Sequence, residues 1–460
     1  MDLKKLISIF AGKISIGILN RFSSGATALP GLVSETFDRN ILKKLSENLR
    51  TGSILITGTN GKTTTSRILS CILKEAGVAS VHNRSGSNLT RGLVSALLKT
   101  STLTGKIEPD LGLFEVDEAT LPLSIPQVLP NIIIINNLFR DQLDRYGEID
   151  TIRKKWEDSL KLIDRETYLV LNADDPTVAS LETAGNAKVL FFGTEDPKQG
   201  SLLPPKSADS LRCPRCGHNL KFEFYYYSHL GKYLCANCQF KRPNPDIVAT
   251  DIKIESLDST KVNFITPKEK LKLTLKLGGV YNVYNTLAAI SAAVALGLDL
   301  EIIKKGLENF EAAFGRQEKL EIDSKNVYIL LVKNPTGFNE SLKFLLNGNE
   351  KKNLLILIND RIADGTDVSW LWDVDIGILK GKIKSLSVGG TRSADMALRL
   401  KYAGIGDNFT VKTDIEESLV EALRAISVNE TLFILPTYTA MLELKKIFAF
   451  KGVAKPFYED

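Results

Sequence analysis

Residues 54–65 read Ile54-Leu55-Ile56-Thr57-Gly58-Thr59-Asn60-Gly61-Lys62-Thr63-Thr64-Thr65, and the rest of the chain can be arranged around them. A run of β-branched residues and Leu empties into a glycine-bracketed turn, and the helix that follows is predicted to start at about Lys62. Backbone N–H groups and a helix N-terminus then converge on one point, which suits a phosphate. Gly58, Thr59, Asn60, Gly61, Lys62, Thr63 and Thr64 are the candidate nucleotide-binding residues. Lys62 would reach the outer phosphates as a mobile charge, and the Thr63 hydroxyl is placed to hold a bridging Mg²⁺. The full Walker spacing is absent: its first glycine would fall on Ile56, so the motif is a shorter G-x-x-G-K-T loop. A Gly-Lys-Thr tripeptide alone could be a plain strand-to-helix turn. The apolar strand before it and the amphipathic run Ile68, Leu69, Ile72, Leu73 after it favour the nucleotide.

The chain has 460 residues, 43% hydrophobic and 25% charged, an ordinary globular composition that suggests about three domains. A net charge of +5 does not by itself argue for nucleic acid. No apolar run approaches the length of a membrane span and no signal-peptide cleavage pattern is visible, so a cytoplasmic location is expected. Leu3, Leu6, Ile7, Phe10, Ile14, Ile18 and Phe22 recur at helical spacing with Lys4, Lys5, Lys13 and Arg21 beside them. The plain expectation is a helix packed on the first domain; the alternative is docking on an anionic membrane face.

From about residue 52 the pattern is strand, helix, strand. The run Leu111–Val116 carries Glu115, a candidate Mg²⁺ ligand, at a strand end beside Asp117 and Glu118. The next run, 132–136, leads into Asn136-Asn137-Leu138-Phe139-Arg140-Asp141-Gln142-Leu143-Asp144, too polar to continue a sheet. Tyr168–Asn172 ends in Ala173-Asp174-Asp175-Pro176. Cys213-Pro-Arg-Cys216 and Cys235-Ala-Asn-Cys238 form C-x₂-C pairs 18 residues apart, the spacing of a zinc ribbon. Four thiolates leave no open position for water, so the metal's role is structural. After antiparallel strands over 247–277, Asn282 opens a long Ala-rich helix. Beyond Gly315-Arg316-Gln317-Glu318 a second set of short apolar strands and Leu/Ala-rich helices implies a second α/β sheet. One of its strands runs into Asn359-Asp360-Arg361-Ile362-Ala363-Asp364-Gly365-Thr366-Asp367, with Trp370 and Trp372 close behind.

Taken together, the Thr57–Thr63 loop, Glu115, Asn137-Leu138 with Asp141 and Asp144, Asn282 and the Gly315-Arg316-Gln317-Glu318 stretch resemble the Mur ligase family. These ATP-dependent ligases activate a carboxylate as an acyl phosphate and then attack it with an amine. The resemblance implies an α/β fold: a Mur ligase-type central ATPase domain over 51–316, a mostly parallel sheet flanked by helices. A four-cysteine zinc ribbon is inserted over 206–245, and a Rossmann-like α/β domain covers 317–460, after an N-terminal helical segment over 1–50. It assigns Asn282 and Arg316 to ATP and Asn88 to the phosphates or acyl substrate. Where the family reads Asp-His-Leu-Asp, Gln142 replaces His and puts a second Mg²⁺ in doubt; Lys155 is one residue out of register for a carbamate-bearing lysine.

The four-cysteine ribbon, Asn137–Gly147, Lys333-Asn334-Pro335 and Asp364-Gly365-Thr366-Asp367 resemble one branch of the family, the ligase subunits of lipid II isoglutaminyl synthase. That resemblance implies amidation of the α-carboxyl of D-glutamate in lipid II, at the inner membrane face. The ammonia would come from a glutaminase partner, GatD-like, in a heterodimer. It implies three catalytic contributions: Lys62, Glu115, and Asp367 completing the partner's Cys–His pair, with Asp360 and Asp364 as weaker candidates for the last role. Two other readings remain at this stage: a conventional Mur or folylpolyglutamate-type amino-acid ligase, and a zinc-ribbon NTPase that binds nucleic acid.

Overall fold

The computed structural model describes residues 2–21, 28–83, 87–140, 149–205, 208, 210–311, 316–346, 350–406 and 408–452. Among these, nine strands form one sheet: β1 (Ser53–Thr57), β2 (Ser80–His82), β3 (Leu111–Glu115), β4 (Ile132–Ile135), β5 (Tyr168–Asn172), β6 (Lys188–Thr194), β9 (Ile247–Ser256), β10 (Ser259–Ile265) and β11 (Lys270–Leu275). Their order is β11-β10-β9-β6-β5-β4-β1-β3-β2. The seven from β2 to β9 run parallel, and β10 and β11 are added antiparallel.

β1, β3 and β4 are buried along their whole length because helices cover both faces. Ile54 and Ile56 look into the core under the helices Lys62–Glu75, Val280–Ala295 and Leu300–Glu308. Leu55 looks into the opposite core with Phe114, Ile133 and Trp156. In β11 burial alternates residue by residue, the signature of a sheet with one wet face.

A second sheet of six strands has the order β12-β13-β17-β14-β15-β16: β12 (Arg316–Ile322), β13 (Lys325–Leu330), β14 (Lys352–Leu357), β15 (Ile383–Gly389), β16 (Thr410–Val411) and β17 (Thr431–Pro436). All its pairings are parallel except β12 with β13. Between β6 and β9 the chain makes the hairpin of β7 (Lys221–Tyr227) and β8 (Leu230–Leu234), which carries the cysteines at its open end.

The N-terminal helix Leu3–Arg21 forms as the periodicity predicts, but it does not pack by its apolar stripe. Leu3, Ile7, Phe10, Ile14 and Ile18 are between 45% and 69% exposed, while Ser8, Ile9 and Gly12 face the protein. The contact is made by Ile9, which enters the core, and by the small Ser8 and Gly12, where Ser34 and Leu98 come too close for a larger side chain. A Cβ on Gly12 would stand 2.2 Å from Ser34 Oγ.

Candidate active site

The turn after β1 is built around two glycines whose backbones only glycine adopts freely. Gly58 has φ +132° and Gly61 has φ +90°; a Cβ on Gly61 would lie 2.0 Å from Asn285 Oδ1. Gly61 caps the helix that begins at Lys62, so the first amides of a fourteen-residue helix point at the loop. The Lys62 ammonium is buried. It donates to Gly58 O at 2.6 Å and to Glu118 Oε2 at 3.1 Å, with Asp117 Oδ1 3.8 Å away. Burial alone would raise the Glu118 carboxyl, but the charges of Lys62 and Lys333 bring it down to about 2.

Glu115 lies opposite Ile56 in the β1–β3 register, and its side chain gathers the next group. The Thr63 hydroxyl donates to Oε2 at 2.7 Å, the Ser66 hydroxyl donates to Oε1 at 2.6 Å, and His82 Nε2 stands 3.4 Å from Oε1. Against a burial that would raise it, His82 and the two hydroxyls hold this carboxyl at about 2, so it is an anion at neutral pH. A buried carboxylate touching the threonine after the loop lysine is a hard-oxygen donor pair of the kind Mg²⁺ takes. The two residues fit the metal, and Asn83 fixes the end of Glu115's strand by exchanging two hydrogen bonds with the Glu115 backbone, each 2.9 Å.

The segment after β4 clamps the loop from one side. Asn137 Oδ1 accepts from Asn60 N at 2.9 Å while Asn137 Nδ2 donates to Asn60 O at 3.1 Å, mimicking a strand pair. Phe139 N donates to Thr59 Oγ1 at 3.0 Å, and Leu138 N donates to Asp175 Oδ2 at 2.8 Å. The ribbon supports the clamp from behind: the Phe139 ring meets Tyr227 at 5.2 Å and the fully buried His229 at 4.8 Å between centroids. At the ribbon's base Arg242 pairs with buried Asp174, which also accepts from Tyr284 Oη at 2.6 Å.

The four cysteine sulfurs lie within 4.8 Å of one another, with Cys213–Cys238 and Cys216–Cys235 at 3.5 Å. Both knuckles are alike. The amides of Cys213 and Cys235 donate to His218 O and Phe240 O at 2.7 Å, and Gly217 and Gln239, each just after the second cysteine of a pair, have left-handed backbones. A tetrahedral thiolate cage for Zn²⁺ fits this set.

The second sheet brings Asn334 to the loop, where its Nδ2 donates to Asn60 Oδ1 at 3.1 Å; Asn334 also caps the helix Pro335–Leu345. Two family models match the chain: the Mur ligase middle domain over residues 56–237 and the MurT ligase C-terminal domain over 331–441. Over 457 residues, 99% of each chain, it is 34% identical to the lipid II isoglutaminyl synthase (glutamine-hydrolyzing) subunit MurT of Streptococcus pneumoniae.

The chain belongs to the MurT family. It is also 33% identical over 416 residues, 90% of its length and 91% of the relative's, to the MurT subunit of Staphylococcus aureus. Its fold is similar to a pseudomurein peptide ligase type C from Methanothermus fervidus, at a TM-score of 0.67 and 25% identity over 88% of this chain and 80% of that one.

Within this MurT-family chain the predicted residues fall in several places. Asn282 is buried at the start of its helix, donating to Gly278 O at 2.8 Å and accepting from Asn285, the neighbour of Gly61. Asn88 is half-buried and its carbonyl accepts from Asp117 N at 3.1 Å, next to the Lys62 group. Arg316 begins β12, and its side chain, like Asp141, Gln142 and Asp144, lies outside the described residues. Lys155 is exposed, whereas its neighbour Trp156 is buried and donates to Glu118 O at 2.7 Å.

Asp367 is exposed and held by Ser369, whose amide and hydroxyl donate to it at 2.8 and 2.9 Å and lower its carboxyl below the usual range. Asp364 is committed elsewhere: buried, it accepts from the amide and hydroxyl of Thr439. Asp360 accepts from Thr391 Oγ1 at 2.8 Å and faces Arg392. Sequence reading missed Glu118, Ser66, His82 and Asn334 as site residues. Glu118 had one visible signal, a third acid beside Glu115 and Asp117, and Asn334 stood in the Lys333-Asn334-Pro335 motif; Ser66 and His82 are brought in by contacts distant in sequence.

Proposed function

We propose that this chain is the ligase subunit of a glutamine-hydrolysing lipid II isoglutaminyl synthase, amidating the α-carboxyl of D-glutamate in the lipid II stem peptide. The observation that carries the proposal is the near-complete, 34% identical match to a MurT subunit. The phosphate loop supports it with a nucleotide site of matching chemistry. A carboxylate oxygen of the substrate attacks the γ-phosphorus of ATP and ADP leaves; ammonia then attacks the acyl carbon and phosphate leaves. The loop amides and Lys62 hold the phosphates, Lys62 exchanging Gly58 O and Glu118 for phosphoryl oxygens as charge develops. Thr63 and Glu115 are the residues that would hold Mg²⁺, which would supply charge neutralisation for the phosphates there. Asn282 and Arg316 contact the nucleotide, and Asn88 lies on the acyl-substrate side.

Ammonia comes from a GatD-like glutaminase subunit. In this reading Asp367, exposed and ionised, orients and charges the imidazole of that subunit's Cys–His pair. Exposure beside the apolar Ile362 and Trp372 supports an interface there.

The test is to incubate the chain with ATP, Mg²⁺, lipid II and free ammonia, with and without the glutaminase, and follow the carboxyl-to-carboxamide mass change. Amidation with free ammonia that depends on ATP and falls by about 10²–10³-fold in Lys62→Ala is the expected result. Incorporation of an amino acid instead of ammonia, or no nucleotide dependence, overturns the reading.

A further inference from the structure

We infer that the outward face of the helix Leu3–Arg21 is a docking surface for an anionic lipid bilayer, on which the helix lies flat. It deepens the proposed function, resting on that reading only in that a lipid-borne substrate gives the docking a purpose. The helix is oriented inside out. Leu3, Ile7, Phe10, Ile14 and Ile18, spaced by four, three, four and four residues, form one stripe and are all exposed, Leu3 by 69%. The opposite face fixes the helix to the protein through reciprocal hydrogen bonds, Ser8 Oγ donating to Ser34 O at 2.9 Å and Ser34 Oγ donating to Ser8 O at 2.8 Å. Ile9 is fully buried beside them, and Gly12 permits the close approach. A helix whose only task is to cover the domain would turn its large apolar residues inward.

Charge selects the occupant. Residues 1–50 hold eight Lys or Arg against four Asp or Glu, most of the chain's net charge of +5. Lys4 borders the stripe on one side and Arg21 closes its end, while Lys13 on the other side turns its ammonium back to Leu98 O at 2.9 Å. Asp2, just before the helix, is neutralised by Lys44 at 2.5 Å. An apolar stripe with basic borders is the pattern of an interfacial helix. Among the described residues no helix is long and apolar enough to cross a membrane, which leaves the in-plane orientation. A second copy of the chain fits less well: a coiled-coil seam through positions 3, 7, 10 and 14 would continue at 17 and 21, which are Gly17 and Arg21.

The experiment is co-flotation of the full chain with phosphatidylglycerol–phosphatidylcholine vesicles, without nucleotide or lipid II. The wild type is expected to float with these vesicles, less with phosphatidylcholine alone, and less as salt rises. The double variant Phe10→Ser/Ile14→Ser is expected to bind at least about tenfold more weakly, with ATP affinity unchanged and the thermal midpoint little moved, since Phe10 is 59% and Ile14 47% exposed. Lys4→Glu/Arg21→Glu should weaken binding to the anionic vesicles alone. The proposal is overturned if the wild type stays in the aqueous phase, if the Ser variant floats equally well, or if sedimentation shows the stripe holding a dimer or the glutaminase. Because no substrate is present, failure to float leaves the amidation reading standing, and failure to amidate leaves a floating chain's docking surface standing.

Discussion

The turns after β1 and after β14 leave buried parallel strands in the same way and are held in opposite ways. The first is closed by its own chain: Asn137 and Phe139 bind its backbone and Thr59, Glu118 takes Lys62, Glu115 takes Thr63, and Asn334 arrives from the other sheet. The second is pinned at Asp364, then carries Ile362 at 89% and Trp372 at 50% exposure, with Asp367 tied to a residue two positions away. Ionised groups in the first turn are paired by burial inside one fold. In the second a carboxylate is presented to whatever docks there. Damage to the first should therefore reduce stability and chemistry together, and damage to the second should appear only in the complex.

The largest effect is expected at the exposed turn. In the complex with glutaminase, Asp367→Asn should lower glutamine-driven amidation by about 10³–10⁴-fold, while ammonia-driven amidation and the thermal midpoint stay at wild-type values. An equal loss with ammonia would break the contrast. Lys62→Ala should lower amidation by about 10²–10³-fold with either nitrogen source. Denaturant unfolding of the same variant should show a loss of about 3 kcal/mol, because Glu118 stays buried without its ammonium.

Phe139→Ala removes the ring between the ribbon tip and Thr59. A destabilisation of about 3 kcal/mol with weaker ATP binding is expected in calorimetry, and chelation of the ribbon metal should reproduce the second part.

The acid limb sharpens the comparison further. Glu115 and Glu118 are lowered from 4.5 to about 2, so the stability they contribute is fully present above about pH 4.5 and is lost as pH falls toward 2. Urea midpoints across that window should fall more shallowly for Glu118→Gln than for the wild type. The smallest effect is expected for Ile362→Ser, within about 0.5 kcal/mol of wild type for the isolated chain. Association with the glutaminase, followed by titration calorimetry, should nevertheless weaken.

The loop, the strand ends and the four-cysteine ribbon were legible because each is a local pattern: glycines set a turn, apolar runs set strands, and cysteine spacing sets a knuckle. The ribbon's contact with Phe139 was not legible, since it depends on how a hairpin folds back over residues some ninety positions earlier. Ser66 and His82 were hidden for the same reason, their roles coming from a carboxylate on a different element, β3. The basic helix at the start was readable as amphipathic and does pack on the first domain, but which of its faces turns inward was not readable. Periodicity states that a helix has two faces, and only the packing of Ser8, Ile9 and Gly12 on the neighbouring elements states which one turns inward.

From the residues alone came the phosphate turn, the α/β class and the thiolate cage, all consequences of short-range backbone geometry and of side-chain chemistry at fixed spacing. Tertiary structure alone decided which carboxylates are buried and charged, which asparagines close the loop, and which acid of the Asp360–Asp367 turn stays in solvent. Those outcomes depend on burial and on pairing between distant segments, and neither exists until the sheets have assembled.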